Sequence, residues 1–301
     1  MKFQITHNTI YDYSQSVRLC QNEARLNPRD FWRQRCLSSH IEVTPTAADF
    51  QERVDFFGNR VAYFAIQQAH TRLVVSATSE VLVLPTATTP AVISQMPWEQ
   101  VQTLLQDLTS PPPHPGNGLY DLLDAKQYLI DSPMVKVTPE LADYAHASFL
   151  PGCPLNDVVA DLMHRIHKDF VYDPAFTTIA TPLSDVLAHR RGVCQDFAHL
   201  AIGCLRAYGI AARYVSGYIE TMTEPGKPRL VGADASHAWF AVFVPDMGWL
   251  EFDPTNNSQP YDQHITVAWG RDYSDVTPLK GIAFGGGQHL LTVSVDVMRL
   301  E

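Results

Sequence analysis

The pattern of apolar residues changes from strand-like to helix-like between residues 84 and 98, and this change limits how the chain can fold. Before it, short segments with two-residue alternation and many β-branched side chains are separated by turn residues. These segments are 3–6, 9–13, 37–43, 60–67 and 70–84. Regularly spaced short strands of this kind predict a small antiparallel sandwich or barrel.

The domain boundary is predicted where the two patterns meet. Residues 86–97 are rich in Pro and Thr and read as a linker. We therefore predict a β-rich domain over 1–85, a linker over 86–97 and a catalytic domain over 98–301. A chain of 301 residues suits one large domain or two modest ones. Later helices are predicted from the apolar period over 155–170 and over 195–208.

Composition excludes several classes of protein. A net charge of -10 and a pI near 5.6 argue against nucleic-acid binding, which needs a basic face. No apolar run approaches the roughly 18 residues that a membrane span needs. The first residues lack the apolar segment of a signal peptide, so we predict a cytoplasmic protein. Five widely spaced cysteines form neither a disulfide framework nor a CxxC metal pair.

Cys194 stands where a charged, glycine-containing turn runs into an apolar helical pattern. A cysteine at that junction should lie at a helix N-terminus. There the free backbone N–H groups and the helix dipole favour a thiolate over a thiol. A thiolate is a nucleophile, and its chemistry requires a base and a residue that orients the base.

Two late strands supply both partners. The segments 236–244 and 249–252 are strand-like and are joined by a compact turn. A hairpin centred on Pro245 places His237 directly opposite Asp253 and Trp239 opposite Glu251. Directly opposed side chains have Cβ atoms about 5 Å apart, which lets the carboxylate hold the imidazole. The other face of this hairpin is almost entirely apolar and is predicted to pack on a core.

These residues suit nucleophilic catalysis. Cys194 would attack, His237 would take and return the proton, and Asp253 would fix the tautomer of the imidazole. The backbone N–H of Cys194 is the natural first oxyanion donor. Candidates for the second donor are Tyr172 and Gln195.

Other polar residues are assigned to packing. His164 and His167 have the spacing of metal ligands on a helix, but no acidic or cysteine partner is suitably spaced, so we predict no metal site. His199 and Cys204 follow the nucleophile in its own helix and are expected to pack. No cofactor is implied.

The motifs resemble those of the bacterial transglutaminase-like superfamily, whose members are often provisionally described as cysteine proteases. They are GVCQDFA at 192–198, LRAYGIAARYVSGY at 205–218, SHAW at 236–239 and GWLEFDPTN at 248–256. The motifs YDY at 11–13, LNPR at 26–29 and FGN at 57–59 resemble the β-rich domain that precedes the core in this branch. The resemblance implies a papain-like α+β core, in which a helix carrying the cysteine packs on an antiparallel sheet carrying His237 and Asp253.

The implied activity is acyl transfer from a peptide or other amide substrate through a thioester. Water as acceptor gives a peptidase or amidase, and an amine gives a transglutaminase. We favour water, because no calcium-loop pattern is present and a small cytoplasmic protein has little crosslinking role. A protein-interaction module with an unused triad is the non-enzymatic alternative. Trp239 and Trp249 are candidates for the wall of the substrate cleft, with core packing as the alternative.

Overall fold

A computed structural model describes residues 1–84, 94–107, 122–178, 181–220 and 236–300, so most of the predicted linker lies outside the described residues. The strands are β1 (Lys2–Ala24), β2 (Gln34–Thr44), β3 (Asp49–Val54), β4 (Arg60–Ile66), β5 (His70–Val83), β6 (Val171–Tyr172), β7 (Arg191–Gly192), β8 (Ala212–Ile219), β9 (Ser236–Val244), β10 (Gly248–Phe252), β11 (His264–Gly270), β12 (Leu279–Gly285) and β13 (His289–Leu300). The helices are α1 (Trp98–Gln106), α2 (Leu122–Lys126), α3 (Pro139–Ala145), α4 (Leu155–Asp169), α5 (Leu183–His189), α6 (Cys194–Ala207) and α7 (Tyr273–Val276).

The N-terminal sheet is organised around the long strand β1. Its path runs β2-β5-β1-β4-β3, and β12 and β13 also pair with β1. The first half of β1 pairs with β5 and β13, and its second half pairs with β4 and β12. The register between β1 and β5 shifts between Asp12 and Val17, which is where a strand bends to serve two sets of partners. The sheet therefore curls about β1.

The C-terminal strands belong to this N-terminal sheet. β13 pairs with β1 from Lys2 to Tyr13, and β12 pairs with it from Val17 to Ala24. The predicted division places residues 279–300 in the catalytic domain, because it assigns every residue after the linker to that domain. The division into domains stays a prediction, but the N-terminal sheet draws its strands from both ends of the chain.

The second sheet runs β10-β9-β8-β11, and all its pairs are antiparallel. α6 packs against β8 and β9. The apolar face predicted for the hairpin is buried in the main core, through Ala238, Phe240, Val242, Val244 and Phe252. The α+β class and the packing of the cysteine-bearing helix on an antiparallel sheet are therefore confirmed. In the described ranges, no helix combines the length and the apolar character needed to cross a bilayer.

The predicted register of the β9–β10 hairpin was wrong by two residues. Glu251 faces Ala241, so the hairpin is centred on Asp246 instead of Pro245. The turn is three residues long, and Gly248 follows it with a φ of 83°, a conformation that favours glycine and is typical of three-residue hairpin loops. A shift of two residues keeps every side chain on its predicted face, because the strand period is two.

Gly217 allows the close approach of β8 and β11 behind the hairpin. A Cβ there would lie 2.1 Å from the carbonyl oxygen of Ile265 and 2.6 Å from the ring of Trp239. We expect Gly217→Ala to lower the free energy of unfolding by about 1–3 kcal/mol, because the two strands must separate. Urea denaturation measures this. Gly152→Ala measures backbone strain without crowding, since nothing lies within 4 Å of its Cβ position but its φ is 72°. A Gly217→Ala variant as stable as the unsubstituted protein would show that the strands tolerate the methyl group.

Candidate active site

Cys194 is the first residue of α6, as predicted from the turn that precedes it. Val193 is extended, and its backbone N–H donates to the Asp196 carboxylate over 2.8 Å. Thr177 donates to the same oxygen over 2.7 Å. The carboxylate thus caps the helix start and fixes the turn. Gly192 is required beneath it, because a Cβ there would lie 2.8 Å from Asp196 Oδ2.

His237 joins Cys194 to Asp253. Its Nε2 lies 2.7 Å from Asp253 Oδ2, and Cys194 is near enough to raise the pKa of His237. Because Nε2 faces the carboxylate, the other ring nitrogen is free for the sulfur. His237 and Asp253 are both buried, at 7 % and 0 % exposed, while Cys194 is half-buried and open to a ligand. The structure therefore brings the three predicted residues together in the predicted order.

The pKa of His237 is raised to about 10. Burial lowers it, but the hydrogen bonds to Asp253 and Cys194 and the charges of both residues outweigh the burial. Burial raises the pKa of Asp253, yet hydrogen bonds from His237, His264 and Asn256 hold it well below the usual range. The site thus favours an imidazolium at His237 paired with the Asp253 carboxylate.

The Asp253 carboxylate has more partners than the sequence suggested. Its Oδ1 accepts the backbone N–H groups of Thr255 and Asn256, at 3.0 and 3.2 Å. Its Oδ2 accepts the Asn256 side-chain amide at 2.7 Å and His264 Nε2 at 3.0 Å. Aspartate commonly bonds the backbone two residues on, so the Thr255 bond was predictable from the sequence. His264 was missed, because no spacing rule relates β10 to β11.

Three ligand atoms of His237, Asp253 and His264 lie within 4.8 Å of one another, an arrangement that metal sites also use. The separations from Asp253 Oδ2, 2.7 and 3.0 Å, are ordinary hydrogen-bond lengths between two ring N–H donors and one carboxylate. His164 and His167 instead bind the loop after β10. His164 Nδ1 lies 3.2 Å from Asn257 Nδ2, and His167 Nδ1 lies 3.0 Å from the carbonyl oxygen of Thr255.

The two candidates for the second oxyanion donor lie on either side of the nucleophile in the chain. Tyr172 pairs with Gly192 in the short parallel sheet of β6 and β7, and its side chain is exposed. Its pKa is raised, first by partial burial and then by the charges of Cys194 and Asp196, so the hydroxyl lies in the field of the site. Gln195 follows Cys194 on α6. The oxyanion role of each stays a prediction.

A cavity of about 1010 Å³ opens beside the start of α6. It lies among α3, α5 and α6, and its polar lining includes Gln195, Asp196 and Arg190. Neither Cys194 nor His237 belongs to its lining. The cavity therefore adjoins the triad without covering it.

The tryptophan candidates differ from each other. Trp239 is 0 % exposed and packs with Val215 and Ala241, so it matches the core-packing alternative. Its ring lies edge-on to His264, with centroids 5.2 Å apart. Trp249 is half-buried and packs edge-on against Tyr128. It pairs with residue 243 of β9, about 20 Å along the strand from His237, and its cleft role stays a prediction.

Two residues on α6 pack as expected. His199 is buried, and burial lowers its pKa to about 4. Its Nε2 accepts the backbone N–H of Tyr273 over 3.1 Å. Cys204 is fully buried, and burial raises the pKa of its thiol to about 12. Neither residue takes part in the site.

Both the N-terminal and the C-terminal parts of the chain match known protein families. Residues 3–82 match the family model of the bacterial transglutaminase-like N-terminal region, and residues 152–254 match that of the transglutaminase-like superfamily. An uncharacterized protein of Mycobacterium tuberculosis is 39% identical over 310 residues, which cover 100% of this chain and 93% of its own.

Two further comparisons concern smaller similarities. A solved structure from Cytophaga hutchinsonii, provisionally described as a cysteine protease, has a TM-score of 0.73 and 22% identity and covers 100% of this chain and 91% of its own. At that identity it shows the fold alone. The protein-glutamine gamma-glutamyltransferase of Pseudomonas aeruginosa is 38% identical over 139 residues, 43% of this chain and 20% of its own.

Proposed function

Because the chain belongs to the transglutaminase-like superfamily, we propose that it is a cysteine-dependent acyl-transfer enzyme that hydrolyses amide bonds in peptides. One observation supports this most strongly. A half-buried cysteine at a helix N-terminus lies near enough to a buried histidine to raise its pKa, and the Nε2 of that histidine lies 2.7 Å from a buried carboxylate. A nucleophile, a base and an orienting residue are thereby grouped in one site.

The first half-reaction forms a thioester. The Cys194 thiolate attacks the amide carbonyl carbon, and a carbon–sulfur bond forms while the carbonyl oxygen becomes an oxyanion. The backbone N–H of Cys194, at the start of α6, is the first donor to that oxygen. His237 then gives its proton to the nitrogen of the leaving group. The carbon–nitrogen bond breaks, and the amine departs from the acyl-enzyme.

The second half-reaction returns the enzyme to its starting state. Water enters where the amine left, and His237 takes one of its protons as the oxygen attacks the thioester carbonyl. The carbon–sulfur bond breaks, the thiolate re-forms, and a carboxylic acid leaves. Asp253 stabilises the imidazolium throughout and fixes its orientation. We infer that this chemistry takes place in the cytoplasm.

An amine in place of water would make the protein a transglutaminase. The Pseudomonas aeruginosa relative, named as a protein-glutamine gamma-glutamyltransferase, favours this second possibility. Both activities share the first half-reaction, so the triad supports them equally. They differ in which nucleophile reaches the thioester first.

Incubation with glutamine-containing peptides, with and without a primary amine, separates the two by mass spectrometry. We expect cleaved or deamidated peptide in both samples and little amine adduct. Amine incorporation without detectable hydrolysis would refute the hydrolase. A Cys194→Ala variant that yields the same products would refute both enzymes, and a cellular role that survives this substitution would favour the interaction module.

A further inference from the structure

A second histidine binds the carboxylate of the proposed triad. His264 Nε2 lies 3.0 Å from Asp253 Oδ2, the same oxygen that His237 contacts at 2.7 Å. His264 is 4 % exposed, and among the described residues its Nδ1 has no hydrogen-bond partner. Burying an imidazole without a polar contact is costly. The hydrogen bond to Asp253 supplies that contact for His264.

His264 is the first residue of β11, which is the edge strand of the second sheet. On one side β11 pairs with β8, and this ladder contains an irregularity between Thr266 and Ala268. A β-bulge disrupts the ladder locally, and a slip of one residue would turn each side chain to the opposite face. The position of His264 therefore depends on what holds the free edge of β11.

Gln34 of β2 holds that free edge with its side-chain amide. Its Nε2 donates to the carbonyl oxygen of Thr266 over 2.7 Å, and its Oε1 accepts the Thr266 N–H over 2.8 Å. The same Nε2 also donates to the carbonyl oxygen of Arg29, at 2.8 Å. Gln34 and Thr266 are both 0 % exposed. The amide thus takes the place of a neighbouring strand, two residues from His264.

Asn59 repeats this contact farther along β11. Its Nδ2 donates to the carbonyl oxygen of Trp269 over 2.8 Å, and its Oδ1 accepts the Trp269 N–H over 2.9 Å. Arg29 donates to Asn59 Oδ1, and its guanidinium stacks on the Trp269 ring at 3.2 Å. Two buried amides from the N-terminal sheet region therefore bracket the irregularity of β11.

We propose that His264 is a positioning residue for Asp253, and that Gln34 keeps β11 in the register that places His264 beside this carboxylate. This proposal rests on the proposed function. The N-terminal sheet is then part of the active-site framework. A donor to Asp253 Oδ2 restrains the carboxylate, and the restrained carboxylate orients His237 toward Cys194.

Substitutions at His264 test the first step. Glutamine can place an N–H near the position of Nε2, whereas leucine has a similar size and no donor. We expect His264→Leu to slow iodoacetamide alkylation of Cys194 at neutral pH by about tenfold, the equivalent of one hydrogen bond to a charged group. We expect His264→Gln to stay within about twofold, since it keeps the donor. The difference in alkylation rate between the leucine and glutamine variants should persist at every pH measured.

Two controls separate positioning from loss of stability. His70→Leu removes another buried histidine, which bonds the carbonyl oxygen of Gln68 in the N-terminal sheet, and should leave the Cys194 rate unchanged. Thermal unfolding is compared for all variants. Should His264→Leu fail to fold, His264→Asn replaces it, because its shorter amide cannot reach Asp253. Equal Cys194 rates in the leucine and glutamine variants would overturn the role of His264.

A double variant tests Gln34. Methionine at this position keeps the length of the side chain and removes both hydrogen bonds to Thr266, together with the one to Arg29. If Gln34 acts through His264, Gln34→Met alone should slow Cys194 alkylation, and the double variant Gln34→Met, His264→Leu should be no slower than His264→Leu alone. A Gln34→Met rate equal to that of the unsubstituted protein would overturn the role of Gln34. Independent, additive losses would contradict that pathway.

Proton NMR monitors the hydrogen bond between His237 and Asp253 without relying on the reactivity of Cys194. We expect the downfield signal of the His237 Nε2 proton to shift or broaden in His264→Leu and to persist in His264→Gln. A signal unchanged in His264→Leu would overturn the positioning role. If Cys194 of the unsubstituted protein is unreactive while this signal responds, the proposed function fails and the positioning of Asp253 by His264 stands.

Discussion

Replacing Cys194 with alanine is expected to abolish amide turnover, with a loss of about 10⁴-fold or more. The sulfur forms the covalent bond of the proposed intermediate, so no neighbouring group can substitute for it. Product formation from the glutamine peptides, followed by mass spectrometry, measures the loss. Cys153→Ala is the matched control, because it removes another half-buried cysteine. Turnover that survives in the Cys194→Ala protein would contradict the covalent mechanism.

Replacing Asp253 with asparagine is expected to slow turnover by about 10³- to 10⁴-fold while Cys194 stays in place. The amide cannot stabilise the imidazolium, and it presents an N–H where His237 and His264 need an acceptor. The rate per active site, with the folded fraction measured by circular dichroism, gives the loss. Activity within about tenfold of the unsubstituted protein would show that Asp253 is dispensable for orientation.

The same substitution should destabilise the protein in a pH-dependent way. The pKa of His237 is raised from 6.5 to about 10, so its pairing contributes stability that is fully present below pH 6.5 and is lost as the pH rises toward about 10. Breaking a buried pair of this kind costs about 3–5 kcal/mol. The loss of unfolding free energy in Asp253→Asn should therefore be larger near pH 6 than near pH 10. A loss that does not change with pH would contradict the charged pair.

The sequence predicted the triad because its signals are local. A turn before an apolar helical pattern placed Cys194 at the start of α6, and alternation along β9 and β10 placed His237 and Asp253 on one face. The register was wrong because the hairpin was centred on Pro245 instead of Asp246, yet an error of two residues preserves the face. His237 therefore still meets Asp253.

The missed features all depend on contacts between distant segments. His264 reaches Asp253 through the position of β11, and β11 is held by Gln34, more than two hundred residues earlier in the chain. β12 and β13 return to pair with β1 from the opposite end of the sequence. The apolar periodicity of one segment does not indicate which distant segment it pairs with. Neither the makeup of the N-terminal sheet nor the second histidine could be derived from local patterns.

The alkylation of Cys194, compared with two other cysteines of the same molecule, tests the central claim most directly. Cys36 and Cys153 are also half-buried, and burial is the first cause that raises the pKa of each thiol. Peptide mapping after brief iodoacetamide treatment gives all three rates across a range of pH. If His237 holds a thiolate at Cys194, Cys194 reacts at least about tenfold faster than Cys153 at neutral pH, and His237→Ala removes the difference. Equal rates for Cys194 and Cys153, unchanged in His237→Ala, would contradict a nucleophile at Cys194.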